Sequence, residues 1–213
     1  NATLPTNIQS GTGYKIRTVS SLPLFIGAES TQSLTINNPS QGFSTLSNGR
    51  ILWYKFDANA ADSSGSSLDA SLVGGTSYTS DRFNNATGAL QLNGTNGHAV
   101  APAGTYFNNE FTVSTWVKPT SYNNWSRVFD FGRGSALDNI LGAISQGATG
   151  NVAAENYNNA TTGQVNSTNK MNLNAWNHIA FRWDGNLLQI YLNSYLVGSA
   201  SSNNPRLIYR NLC

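Results

Sequence analysis

Residues 110–118 read EFTVSTWVK, and their alternation decides the fold. Phe111, Val113, Thr115 and Val117 fall on one side of an extended chain; Thr112, Ser114 and Trp116 fall on the other. A period of two is that of a half-buried strand. Residues 176–183 (WNHIAFRW) and 187–197 (LLQIYLNSYLV) follow in the same style, with Asp184-Gly185 between them. A two-residue Asp-Gly link suits a type I′ hairpin, because glycine tolerates positive φ. Asn193-Ser194 marks a second tight turn inside the last run.

Working back from there, strands are expected at 51–57 (ILWYKFD), 89–93 (ALQLN), 98–101 (HAVA), 127–131 (RVFDF) and 139–144 (NILGAI). No window carries a helical 3.6 period, and Gly/Asn/Ser/Asp clusters separate the runs, which is the all-β signature. The polar stretch 146–174 has little apolar content and predicts one or two irregular strands with an exposed loop. Residues 1–49 differ: apolar runs at 14–26 and 33–36 lie in Ser/Thr/Gly/Pro-rich sequence, and Pro23 confines the first to an edge or to two short pieces. The expected organisation is an arm over 1–49 with one or two short strands, and a β-sandwich over 50–213.

Composition limits the function classes. Charged residues are 10% of the 213-residue chain, against about 25% in an ordinary soluble protein. Solubility therefore falls to neutral polar groups, supplied by 29 Asn, 25 Ser and 19 Thr. The net charge of +2 comes without a basic stripe, so nucleic acid is not an expected partner. No apolar run reaches the roughly 20 residues of a membrane span. The single cysteine, Cys213, predicts an intermolecular disulfide or a partner further along a longer chain. Asn-x-Ser/Thr sequons start at Asn1, Asn85, Asn93, Asn124, Asn159 and Asn166, a number that this composition produces by chance.

From residue 51 onward the chain resembles the laminin-G-like, concanavalin A-like lectin and glucanase superfamily. The resemblance rests on an ordered series: ILWYKFD, then Asp62-Ser63-Ser64-Gly65 and Leu68-Asp69-Ala70, GALQLNG at 88–94, FTVSTWVKP, WSRVFDFG, and AWNHIAFRWDG with LQIYLNSYLVG. It implies an antiparallel two-sheet jelly-roll sandwich and an extracellular setting. It also implies one or two further strands after residues 204–213, which would leave 51–57 beside an open edge. Two readings follow. Either the chain continues past Cys213, or the apolar runs of 14–36 fill the gap in a neighbouring copy, joining subunits head to tail into a filament.

A fold shared with glucanases requires a search for paired carboxyl groups. The three glutamates, Glu29, Glu110 and Glu155, lie far apart in sequence, and the Glu-x-Asp-x-x-Glu strand of glucanases on this fold is absent. His98 and His178 read as framework residues, and no nucleophile motif occurs. No enzyme is expected. Asp57, Asn59 and Asp62 are the candidate calcium ligands, since calcium takes carboxylate and carbonyl oxygens and related domains bind it. Of the five tryptophans, Trp53, Trp116, Trp176 and Trp183 are expected in the packing; Trp125, in the loop SYNNWS, is the candidate sugar platform. The function expected is an extracellular recognition or adhesion module for glycans or proteins. A structural subunit of a filament or coat, assembled by strand donation, is the alternative.

Overall fold

The structure is a computed structural model that describes residues 11–15, 19–21, 24–26, 28–36, 48–107, 109–133, 137–158 and 161–212. Asn1, Pro23, Asn159 and Cys213 lie outside the described residues. The chain divides into two compact units, Asn1–Arg50 and Ile51–Cys213.

In the first unit β1 (Gly11–Tyr14) pairs antiparallel with β4 (Leu34–Ile36), and β2 (Val19–Ser21) with β3 (Leu24–Ile26). The run containing Pro23 is thus two short pieces. These strands pair with one another, so the apolar runs of 14–36 are not the unpaired strands that donation to a neighbour would need.

The second unit is all-β and antiparallel. Its larger sheet has seven strands in the order β13-β12-β11-β10-β17-β8-β5, and its smaller one has four in the order β16-β15-β14-β9. The larger is built from β5 (Ser71–Val73), β8 (His98–Gly104), β10 (Arg127–Gly132), β11 (Ile140–Ala143), β12 (Asn151–Asn158), β13 (Thr161–Lys170) and β17 (Arg210–Leu212). The smaller comprises β9 (Phe111–Val117), β14 (Asn177–Trp183), β15 (Leu187–Leu192) and β16 (Tyr195–Ser201). A separate hairpin joins β6 (Thr76–Thr79) to β7 (Ala89–Leu92).

The core lies between the two sheets. Phe129, Phe131, Ile140, Val152, Ala154 and Val165 come from one, and Ile179, Phe181, Trp183, Leu188, Ile190 and Leu192 from the other. Phe129 meets Phe181 edge-on at 5.2 Å. Gly142 makes that approach feasible: a Cβ there would sit 2.6 Å from Phe129 and 2.7 Å from Phe181.

Four expectations need correction. The polar stretch 146–174 forms the long regular strands β12 and β13. Val152 and Val165 are the large apolar residues among their inward positions; the others are small or amide residues, Ala154, Asn156, Gly163 and Ser167, so the pair carries little apolar signal in sequence. The turn after β14 is shifted by one residue: Asp184 N–H donates to Leu187 O at 3.2 Å, leaving Gly185-Asn186 central, with Gly185 at φ 96 as a type II′ turn requires. Residues 210–212, where no strand was expected, form β17 between β8 and β10. Finally, residues 51–57 form no strand; only an isolated bridge joins Tyr54 to Asp62. Phe56 and Ala58 sit at φ 56 and 55, which breaks an extended path.

Candidate functional site

The nominated residues are best followed one by one. Asp62 is a loop staple. Its Oδ1 accepts from Trp53 N–H and Ser64 N–H, both at 2.9 Å; its Oδ2 accepts from Ser64 Oγ–H at 2.7 Å and Leu68 N–H at 3.2 Å. Four donors take the roughly four lone-pair sites that a carboxylate offers. Desolvation pushes this carboxyl up, but the hydrogen bonds from Ser64, Trp53 and Leu68 outweigh it and lower its pKa to about 2. Asn59 is similarly engaged: Nδ2 donates to Asp57 O at 2.8 Å and Oδ1 accepts from Ala61 N–H at 3.0 Å. Among the described residues no group of three or more His, Cys, Asp or Glu side chains gathers to hold a metal. The donor set at Asp57, Asn59 and Asp62 does not fit calcium, because its best ligand is already saturated.

Trp125 is half-buried in a turn, at φ 52, with its N–H donated to Gly147 O at 2.9 Å. It is not the exposed platform expected. Trp116, at 43%, and Trp53, at 41%, are the exposed ones, although the packing was their expected place. Trp116 is the one with an aromatic and cationic neighbourhood. It stands on the outer face of β9, where the guanidinium of Arg82 lies 4.5 Å over its ring and 3.8 Å over that of Phe83. His178, opposite Trp116 on β14, also faces outward; its Nε2 and Ser114 Oγ are 2.8 Å apart. Burial, then Arg82, holds His178 below its ordinary pKa. The signal was in the sequence: Trp116 shares its parity with Thr112 and Ser114, not with Val113.

Among the sequons, Asn85, Asn124 and Asn166 are exposed. Asn93 is exposed too, but its amide braces a turn, with Oδ1 accepting from Thr95, Asn96 and Gly97 N–H and Nδ2 donating to Asn96.

A concave site lies elsewhere. A cleft of about 470 Å³ opens between the start of β9, the turn joining β14 to β15, and the segment after β16. Asn109, Glu110, Trp183, Gly185, Asn204 and Pro205 line it. Trp183 belongs to the core and is only 4% exposed, yet its Nε1–H is buried with no hydrogen-bond partner. Asn109, Glu110 and Asn204 are exposed around it and bring amide donors, amide acceptors and a carboxylate. These residues come from three separate loops, and nothing in their spacing marks them as neighbours.

Residues 93–211, more than half of the chain, match the family described as the concanavalin A-like lectin/glucanases superfamily. The chain belongs to that superfamily. No curated protein sequence matches it. Among solved structures, domain 4 of AbnA, a GH43 extracellular arabinanase from Geobacillus stearothermophilus, in complex with arabinotriose, is similar: TM-score 0.62, 22% identity, covering 76% of this chain and 82% of that one. The carbohydrate-binding module CBM66 from Bacillus subtilis is more distant, at TM-score 0.41 and 14% identity, covering 67% and 85%. These likenesses concern the fold of this superfamily member, an antiparallel jelly-roll sandwich. Among the described residues no helix is long and apolar enough to cross a membrane.

Proposed function

We propose that this chain is a non-catalytic glycan-recognition module, set in an extracellular protein, and that it binds a neutral oligosaccharide in the cleft over Trp183. The observation that carries this reading is the cleft itself: a concave space over the core residue Trp183, with a rim of amides and one carboxylate. Sugar hydroxyls both donate and accept, and such a mixed planar set satisfies both roles. The fold agrees, since a domain of similar architecture was captured with arabinotriose.

Catalysis finds no support. Glu110 is exposed at the cleft, whereas Glu155 is buried in β12 and Glu29 belongs to the first unit. Glycoside hydrolysis needs two carboxyl groups facing one bond. The filament reading is not favoured, because the strands it needs are paired among themselves.

Calorimetry with arabinotriose and a panel of neutral oligosaccharides tests the proposal. Saturable binding to at least one, weakened about tenfold by Glu110→Ala or Asn204→Ala with the fold intact, is expected. Binding that survives both substitutions unchanged would place the ligand elsewhere.

A further inference from the structure

Three of the twelve cationic side chains meet at a single aspartate. Asp138 lies shortly before β11, beside Leu137, whose carbonyl accepts from Arg133 N–H, and it is held at φ 54, a left-handed conformation costly for most residues. Its carboxylate is 3% exposed as a residue and receives Arg206 Nη1 at 3.0 and 2.9 Å on its two oxygens. Arg133 Nη1 approaches the same carboxylate at 4.0 Å. Arg210, on β17, donates Nε–H to the Asp138 main-chain carbonyl at 2.9 Å.

One negative charge therefore faces three positive ones. Arg210 is the most buried of the three: it is 1% accessible, and both Nη1 and Nη2 are buried without a hydrogen-bond partner. Its side chain rests over the Phe107 ring at 5.7 Å. Burial lowers its pKa, and the repulsion of Arg206 and Arg133 adds to that, with Asp138 only partly opposing. A guanidinium stripped of water and left with unmade hydrogen bonds is a costly arrangement, and its planar fork matches an oxyanion. Arg206 and Arg133 are half-exposed and carry the cluster to the surface.

We propose that Arg133, Arg206 and Arg210 form an oxyanion site that takes the carboxylate or sulfate group of an acidic glycan. It uses residues distinct from those lining the cleft, although Arg206 directly follows Asn204-Pro205. The two readings therefore fail separately: Glu110→Ala leaves the oxyanion affinity undiminished, and loss of oxyanion binding leaves neutral-sugar binding in place.

The probes are sulfate and galacturonate, with galactose as the uncharged control, followed by calorimetry at constant ionic strength. Saturable sulfate binding is expected, about tenfold weaker in Arg133→Gln and in Arg206→Gln. Arg133 is the safer substitution for the fold, since it makes no close hydrogen bond to Asp138. Arg82→Gln removes the same charge from the outer face of the smaller sheet and leaves the affinity unchanged. Galacturonate displacing sulfate assigns the carboxylate, and failure to displace it assigns the sulfate ester. No saturable binding of either anion, or an equal loss in Arg82→Gln, overturns the proposal.

Discussion

Residues 51–57 and β14 look alike in sequence and end in opposite states. ILWYKFD and NHIAFRW are both rich in the bulky and aromatic residues that strands favour. β14 lies between β9 and β15, paired with β9 over 177–183 and with β15 over 179–183, with Ile179, Phe181 and Trp183 in the core. Residues 51–57 have one bridge, two positive-φ residues just where a strand would continue, and Trp53 left 41% exposed. Strand propensity is a statement about fitting a pleated surface; without a partner on either edge it goes unexpressed. In its place a single carboxylate, Asp62, ties down the backbone.

That contrast can be broken at its strongest point first. Phe181→Ala removes an aromatic ring from the centre of the sandwich and is expected to cost about 4 kcal/mol, read as a lowered midpoint in denaturant. A loss under about 1 kcal/mol would mean that β14 does not anchor the core. Next, Asp62→Ala deletes the acceptor of four hydrogen bonds and should cost about 2 kcal/mol while leaving the β14 amides protected in hydrogen exchange. Because the folded Asp62 pKa lies near 2, below its ordinary 3.8, its stabilisation is complete above that ordinary value and fades as pH falls towards 2. The Asp62→Ala protein should lack that acid-side decline.

Smaller effects sharpen the same comparison. Trp53→Ala, in the stretch that forms no strand, should change stability by no more than about 0.5 kcal/mol despite the size of the side chain removed. His178, on the outer face of β14, should titrate below its ordinary value in a nuclear magnetic resonance titration and move upward in Arg82→Gln. Its neutral form is the one the fold favours, so its small stabilisation is present above its ordinary pKa and is lost as pH falls below it.

How much was legible follows from what each signal depends on. The alternation in 110–118 and 176–197 gave sheet, parity and hairpin order, because local period and burial agree there. The strands β12 and β13 were hidden because Ala, Gly, Ser and Asn fill most of their inward positions, with Val152 and Val165 alone among them large and apolar. β17 was hidden because its three residues are a strand only between β8 and β10. The cleft was not legible at all, since Asn109 and Asn204, on loops, converge with Trp183, at the end of β14, from segments distant in sequence. The same holds for the arginine cluster, where residues 133, 138, 206 and 210 meet. Composition points away from a basic stripe, yet Arg133, Arg206 and Arg210 still gather at Asp138.

The most direct test of the glycan reading follows the five indole N–H resonances while a neutral oligosaccharide that binds is titrated in. The Trp183 signal is expected to shift with saturation, as its unpartnered N–H senses a hydroxyl, while those of Trp116 and Trp125 stay in place. A still Trp183 signal with movement at Trp116 or Trp125 would contradict the assignment of the cleft.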